Sequence, residues 1–382
     1  VIGARVVHGI VLAWGWRRAL IAFVAGAVSV LALAPFNAWP VLFLTFPVVV
    51  FLIDGAGGGR ARGIPAAALS GWWFGFGYFL AGLYWIGYAF LVDAPTFGWL
   101  MPIAVAGLPA GLALFFAAGF ALARAMWRSD SRRIISLAAA LTITEWLRGH
   151  ILTGFPWNAI GYALTTPIAL AQTAAWIGLW GLTLIAIAVF ASPATLFDDR
   201  GLERRRWLPV VLAIVALIAM GGYGAFRLQR EPTRFVNDVR LRIMQPNLPQ
   251  DVKFNYAAKN DVMRKYLTLS DRASGPQASG VRDVSLLIWP ESAFPFFLTR
   301  EPDALAQIAS LLPKGTLLIT GGVRPPDAMP PGVPITRAYN SIYVIDNNGT
   351  IQSVYDKLHL VPFGEYLPFQ STLESWGLSQ LT

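Results

Sequence analysis

Residues 219–247, AMGGYGAFRLQREPTRFVNDVRLRIMQPN, pass from one kind of protein to another within a few turns of chain. Up to Phe226 the stretch is the tail of a long apolar run. From Arg227 charges appear every few positions, and VRLRIMQPN (239–247) reads as a short buried strand ending in turn chemistry. Reading outward from this break sorts the whole chain.

Before the break the composition is that of a membrane protein. The chain is 55% hydrophobic and only 13% charged, with a mean hydropathy of +0.54, far from the usual soluble mix. Residues 1–230 carry 16 Arg, no Lys and 7 acids, whereas residues 231–382 carry 14 basic and 14 acidic residues, so the net charge of +9 belongs to the first part. Those arginines lie between apolar runs instead of striping a polar face, which excludes the pattern of a nucleic-acid binder. Apolar stretches at 19–34, 38–53, 64–92, 97–123, 134–147, 168–197 and 208–226 predict seven bilayer-crossing helices, for which about 20 residues are usual.

The connections alternate in charge. Arg5, Arg17 and Arg18 precede the first span, Arg60 and Arg62 follow the second, Arg124, Arg128, Arg132 and Arg133 the fourth, and Arg200, Arg204, Arg205 and Arg206 the sixth. The other loops hold one Arg between them. By the positive-inside rule the N-terminus is cytoplasmic, and an odd number of spans places residues 231–382 on the far side, the periplasm of a bacterium. Trp72, Trp73, Trp99 and Trp157 read as interfacial anchors. Glu145 and Arg148, one helical turn apart, read as an ion pair at the outer interface.

After the break, strands alternate with helices, the mark of an α/β layered domain. VSLLIWPES (284–292) and TLLITGGV (316–323) read as strands, and NSIYVIDNNGTIQSVYDK (340–357) as two strands around an Asn-Asn-Gly turn. NYAAKNDVMRKYLTLSDRA (255–273) and EPDALAQIASLL (301–312) have helical spacing of apolar positions, while SGPQASG and PPDAMPPGVP are loops by composition.

Three charged groups stand at strand ends or turns, where α/β sheets collect their chemistry. Glu291 closes VSLLIWP and would be partly desolvated there, which makes a better base. Lys357 follows the last strand, and Glu365 returns after a proline-rich turn. Taken singly, Glu291 reads equally as an N-cap or loop acid, Lys357 as a solvated edge lysine, Glu365 as a turn acid and His359 as a core histidine. Taken together, a base at one strand end and a cation at another make half of an acyl-transfer site. The sequence contains no cysteine, so it holds no disulfide framework, no thiolate metal site and no thiol nucleophile.

The stretches LALAPFNAWP, GFGYFLAGLYWIG, EWLRGHILTGFPWNAIGY, MQPNLPQDVKF, LLIWPESAFP, YNSIYVI and YDKLHLVPFGEYLP together resemble the apolipoprotein N-acyltransferases, membrane-embedded enzymes with a nitrilase-like (carbon-nitrogen hydrolase) domain. The resemblance implies an α-β-β-α sandwich on the periplasmic side of the inner membrane. It implies transfer of an acyl chain from a phospholipid donor, usually phosphatidylethanolamine, through a cysteine thioester. The acceptor is the α-amino group of a diacylglyceryl-cysteine apolipoprotein, and no cofactor is involved. By the same resemblance Glu291 is the general base, Lys357 the oxyanion-stabilising lysine, Glu365 a second essential glutamate, and Phe254 an aromatic residue that handles substrate. The nucleophile of the family lies further along, which leads to the expectation that 231–382 is the first part of the domain and that these residues alone are inactive. A membrane-anchored amidase, a transporter and a non-catalytic lipid-binding relative are the competing readings.

Overall fold

The computed structural model describes residues 2–57, 59–91, 94–151, 153–198, 206–253, 255–271, 280–326, 338–362, 365–366 and 369–375. They divide into two compact units, 1–233 and 234–382.

The first unit is all helical. A short helix, α1 (Ile2–Val11), precedes α2 (Gly15–Ser29), α3 (Leu42–Asp54), α4 (Gly59–Leu83), α5 (Met101–Ala125), α6 (Arg133–Arg148), α7 (Ala174–Ala191) and α8 (Leu208–Arg230). The helices α2 to α8 fall on the seven apolar stretches of the sequence. Five segments among the described residues are long and apolar enough to cross a membrane: Gly15–Ala32, Gly63–Leu91, Ala94–Ala125, Ala174–Phe197 and Leu208–Arg230. The apolar segment Trp39–Asp54 is shorter, and α6 has 16 residues including Arg133, Glu145 and Arg148. In hydrocarbon a helix satisfies its own backbone, so apolar side chains alone suffice to specify it.

Association inside this unit relies on small residues. A Cβ at Gly26 of α2 would lie 1.9 Å from the Phe74 carbonyl oxygen, and one at Gly77 of α4 would lie 2.1 Å from that of Phe23. These glycines let the two backbones touch. Of the expected interfacial tryptophans, Trp99 and Trp157 are exposed. Trp72 instead donates its indole N–H to the Ala110 carbonyl of α5 at 3.1 Å and stacks on Phe76.

The Glu145–Arg148 pair forms at 3.4 Å and is buried, with side chains 2% and 0% exposed. Helical spacing predicts that two residues meet; it does not tell which way their shared face points. Arg148 donates to the carbonyls of Phe155 and Trp157, the latter at 2.8 Å. Glu145 accepts the Ile160 N–H at 3.1 Å, and Tyr78 donates to the Asn158 carbonyl at 2.8 Å. The pair thus supplies the backbone partners of the 155–160 segment, which would otherwise be orphaned in the interior.

The second unit is one five-stranded sheet, β1 (Leu241–Ile243), β2 (Leu286–Ile288), β3 (Leu317–Arg324), β4 (Tyr339–Ile345) and β5 (Ile351–Asp356), in that spatial order. The first three strands are parallel and the last two antiparallel. The crossovers between the parallel strands hold α9 (Lys259–Asp271) and α10 (Pro302–Leu311). One sheet face, with Leu287, Leu318, Tyr343 and Ile345, is buried in a common core with Tyr266 and Ile308 of those helices. Across the other face run Ile243, Ile288, Ile319, Ile342 and Tyr355, exposed or half-buried among the described residues.

The β4–β5 hairpin has one irregularity. Ile345 pairs with Ile351 but Val344 pairs with Ser353, so Gln352 is an extra residue, a β-bulge. Its side-chain amide donates to Asp346 at 2.7 Å. Asp346 also accepts the backbone N–H groups of Asn348 and Thr350, and Gly349 takes the positive φ of 76° that the turn requires.

Candidate active site

β2 ends at Ile288, and the chain stays on β3 for one more rung, the Trp289 N–H donating to the Ile319 carbonyl at 2.9 Å. Trp289 is buried; it bonds Ser270 at 2.9 Å and packs on Tyr266 and Phe294. Pro290 and Glu291 then turn over Gly321, where a Cβ would lie 2.6 Å from the Glu291 Cα. Only glycine lets the turn sit that close. The Ala293 N–H closes it on the Gly321 carbonyl at 3.0 Å.

The hairpin brings the other side chains to this turn. Ser341 pairs with Asp356, so the next rung is Asn340 and Lys357, joined by the Lys357 N–H donating to the Asn340 carbonyl at 2.8 Å. Glu365 returns through a small ring, its N–H donating to the Val361 carbonyl and its Oε2 accepting the Val361 N–H, each at 2.8 Å.

The three charged residues expected from sequence meet. Lys357 Nζ lies 2.8 Å from Glu365 Oε1 and 3.4 Å from Glu291 Oε1. Asn340 Nδ2 donates to the same two oxygens, at 2.7 Å to Glu365 and 2.6 Å to Glu291. The hydrogen bond to Glu365 raises Lys357 above the ordinary lysine value against partial burial, and the charge of Glu291 adds to the rise. Partial burial pushes Glu365 up, but Lys357, the Val361 N–H and Asn340 outweigh it and hold the carboxyl below its ordinary value. Lys253 lies within the field of Glu291: burial lowers its ammonium and the carboxylate counters part of that effect.

Two expectations are corrected. Glu291 is 63% exposed and therefore is not desolvated by its strand end, because the turn carries it past the buried face of the sheet. His359 is exposed and is not a core histidine. Phe254 lies outside the described residues. Asn340 and Lys253 were missed by sequence reasoning. For Asn340 the available signal was hairpin register, which sets it opposite Lys357; for Lys253, within MQPNLPQDVKF, there was none beyond its charge.

An ammonium has three N–H donors. Among the described residues two of those on Lys357 go to carboxylates, which leaves one for another acceptor. Comparison with known proteins bears on the chain as a whole. Residues 25–192 match the apolipoprotein N-acyltransferase N-terminal domain, and residues 240–378 match the carbon-nitrogen hydrolase domain. This chain belongs to the apolipoprotein N-acyltransferase family. The apolipoprotein N-acyltransferase of Rhodopseudomonas palustris is 68% identical over 379 residues, and that of Bradyrhizobium diazoefficiens 66% over 378. The Brucella suis apolipoprotein N-acyltransferase is 44% identical over 384 residues. Each alignment covers 99% of this chain and 70% of the relative.

Proposed function

We propose that Glu291, Lys357 and Glu365 form the base and oxyanion side of the acyl-transfer site of this family member. The observation that carries the reading is the single ammonium of Lys357 bridging two carboxylates at 2.8 and 3.4 Å with one donor to spare. In the first step Glu291 takes the proton of a thiol as its sulfur attacks an ester carbonyl of a phospholipid, phosphatidylethanolamine by the family resemblance. Lys357 donates to the oxyanion of the tetrahedral intermediate. The C–O bond then breaks, and the lysophospholipid oxygen takes the proton from Glu291. In the second step the α-amino nitrogen of a diacylglyceryl-cysteine apolipoprotein attacks the thioester carbonyl. Its proton passes through Glu291 as the C–S bond breaks and the thiol is restored. Splitting the transfer in two lowers each barrier. The thiol is the one that the family resemblance sets beyond Thr382.

Glu365 and Asn340 hold Lys357 and Glu291 in one orientation, and Phe254 is the proposed substrate-handling aromatic. The match at 25–192 favours a lipid-handling membrane part over the bare anchor of an amidase. Seven spans, an inner-membrane location and a periplasmic second unit complete the proposal, supported by the alternation of arginine-rich loops.

The test is acyl-enzyme formation in the full-length protein with labelled phospholipid. Glu291→Gln is expected to abolish the labelled thioester. Lys357→Ala is expected to slow it by about a hundredfold or more, the loss typical of one oxyanion donor, with phospholipid binding retained. Normal thioester in Glu291→Gln would end the base assignment.

A further inference from the structure

On the opposite face of the sheet from the carboxylate cluster stands a second set of charged groups that the proposed chemistry does not use. Arg324 is the last residue of β3 and Asp356 the last of β5, with β4 between them. The guanidinium reaches across β4 to Asp356, Nη2 to Oδ2 at 2.6 Å and Nε to Oδ1 at 3.1 Å. Ser341 of β4, itself buried, donates to the same Oδ1 at 2.6 Å. The Arg324 side chain is 14% exposed and lies over the Tyr339 ring, 4.7 Å from its centroid. Three strands are thereby tied together on one face, Ser341 and Asp356 on the rung of Gly322 and Arg324 reaching back to them from the rung of Tyr339.

We infer that the Arg324–Asp356 pair, with Ser341, is a positioning device that aims Lys357 from behind the sheet. The inference rests on the reading of Lys357 as the cation of the site. Its logic is that successive residues of a strand point to opposite faces. Ser341 and Asp356 are direct partners on the back face, so the residues beside them, Asn340 and Lys357, share the front. Holding the back rung fixes the front one. The anchor has work to do because β5 is the last strand among the described residues, and Lys357 lies one residue beyond its end. A lysine there loses much rotamer freedom on being held, and a mobile strand end would hold it poorly. The bidentate fork of Arg324 suits the task, since it fixes direction as well as distance. The Arg324 hydrogen bonds also keep the Asp356 carboxyl below its ordinary value against some burial.

The experiment is competitive acetylation of the full chain in detergent with acetic anhydride, reading Lys357 and Lys259 by mass spectrometry from pH 7 to 11. Lys259 serves as the internal control, because it is paired with Glu301 at 3.0 Å on other elements of the unit. Arg324→Met discriminates by sign. Loss of a positive charge alone would raise the Lys357 pKa and slow its acetylation. Loss of aim frees Lys357 from Glu365 and Glu291 and speeds it.

The expected result is a rate about three- to tenfold higher at fixed pH, equivalent to a midpoint lower by roughly half to one pH unit, with Lys259 unchanged. Arg324→Lys, which keeps the charge without the fork, is expected to give an intermediate rate, and it carries the comparison if Arg324→Met does not fold. An unchanged or slower Lys357 rate in the folded variant overturns the inference. Acyl transfer persisting in Lys357→Ala would remove the catalytic reading alone and leave the acetylation result standing.

Discussion

Lys357 and Glu365 titrate against each other, and the signs define a working window. Glu365 is held low, so its contribution is present above its unfolded value of about 4.3 and is lost as pH falls through the folded value. Lys357 is held high, so its contribution is complete below about 10.4 and is lost as pH rises through the folded value. In Glu365→Gln the hydrogen bond that does most to raise Lys357 is gone, and its proton leaves earlier. The alkaline limb of acyl transfer is therefore expected to move to lower pH. A pH–rate profile in which the alkaline limb stays put would separate Lys357 from catalysis. Glu291, Lys357 and Glu365 were legible in the sequence because strand ends and turns concentrate charge. The exposure of Glu291 was not, since it depends on which sheet face the turn crosses. Nor was the double donation of Asn340, an amide that resembles any other strand residue until the hairpin register is known.

At the scale of elements, α6 illustrates both the reach and the limit of periodicity. The apolar run predicted the helix, and the spacing of Glu145 and Arg148 predicted their meeting. Their burial follows from the 155–160 segment folding over them, a tertiary event that no local pattern announces. Arg148→Met leaves Glu145 buried with its cation removed, which costs roughly 3–5 kcal/mol. The expected outcome is a lower thermal midpoint in detergent and loss of amide-exchange protection at Ile160, whose N–H bonds Glu145 at 3.1 Å. Replacing both members with Leu is expected to recover part of the loss, because no unpaired charge remains. A midpoint in Arg148→Met equal to that of the parent would show that the pair contributes no net stability.

For the whole molecule, the seven apolar stretches became seven helices, and the composition break near residue 230 lies close to the division at 233. Orientation is a matter of charge and calls for chemistry on intact cells. These 382 residues contain no cysteine, so in the full-length protein a single introduced thiol is read against the parent, whose own thiol is the proposed nucleophile. Asn348→Cys, in the exposed β4–β5 turn, is expected to react with a membrane-impermeant maleimide added outside spheroplasts. Arg128→Cys, between α5 and α6, is expected to react only after lysis. The reverse pattern would invert the topology.

Gln352 gives the hairpin a further property, visible at the level of the gene. The bulge absorbs one residue of β5; were one more residue paired in that strand, Asp356 instead of Lys357 would stand opposite Asn340. Gain of one codon after Ser353 would leave composition, charge and hydropathy nearly untouched. It would nonetheless present a third carboxylate to Glu291 and Glu365 and turn the ammonium toward Arg324. Full-length protein with one residue inserted after Ser353 is expected to reach the membrane and form no thioester, whereas protein lacking the bulged Gln352, in which Lys357 still stands opposite Asn340, is expected to retain activity within about tenfold. Descent can thus rewrite the letters between Asp346 and Lys357 far more freely than it can add to their number.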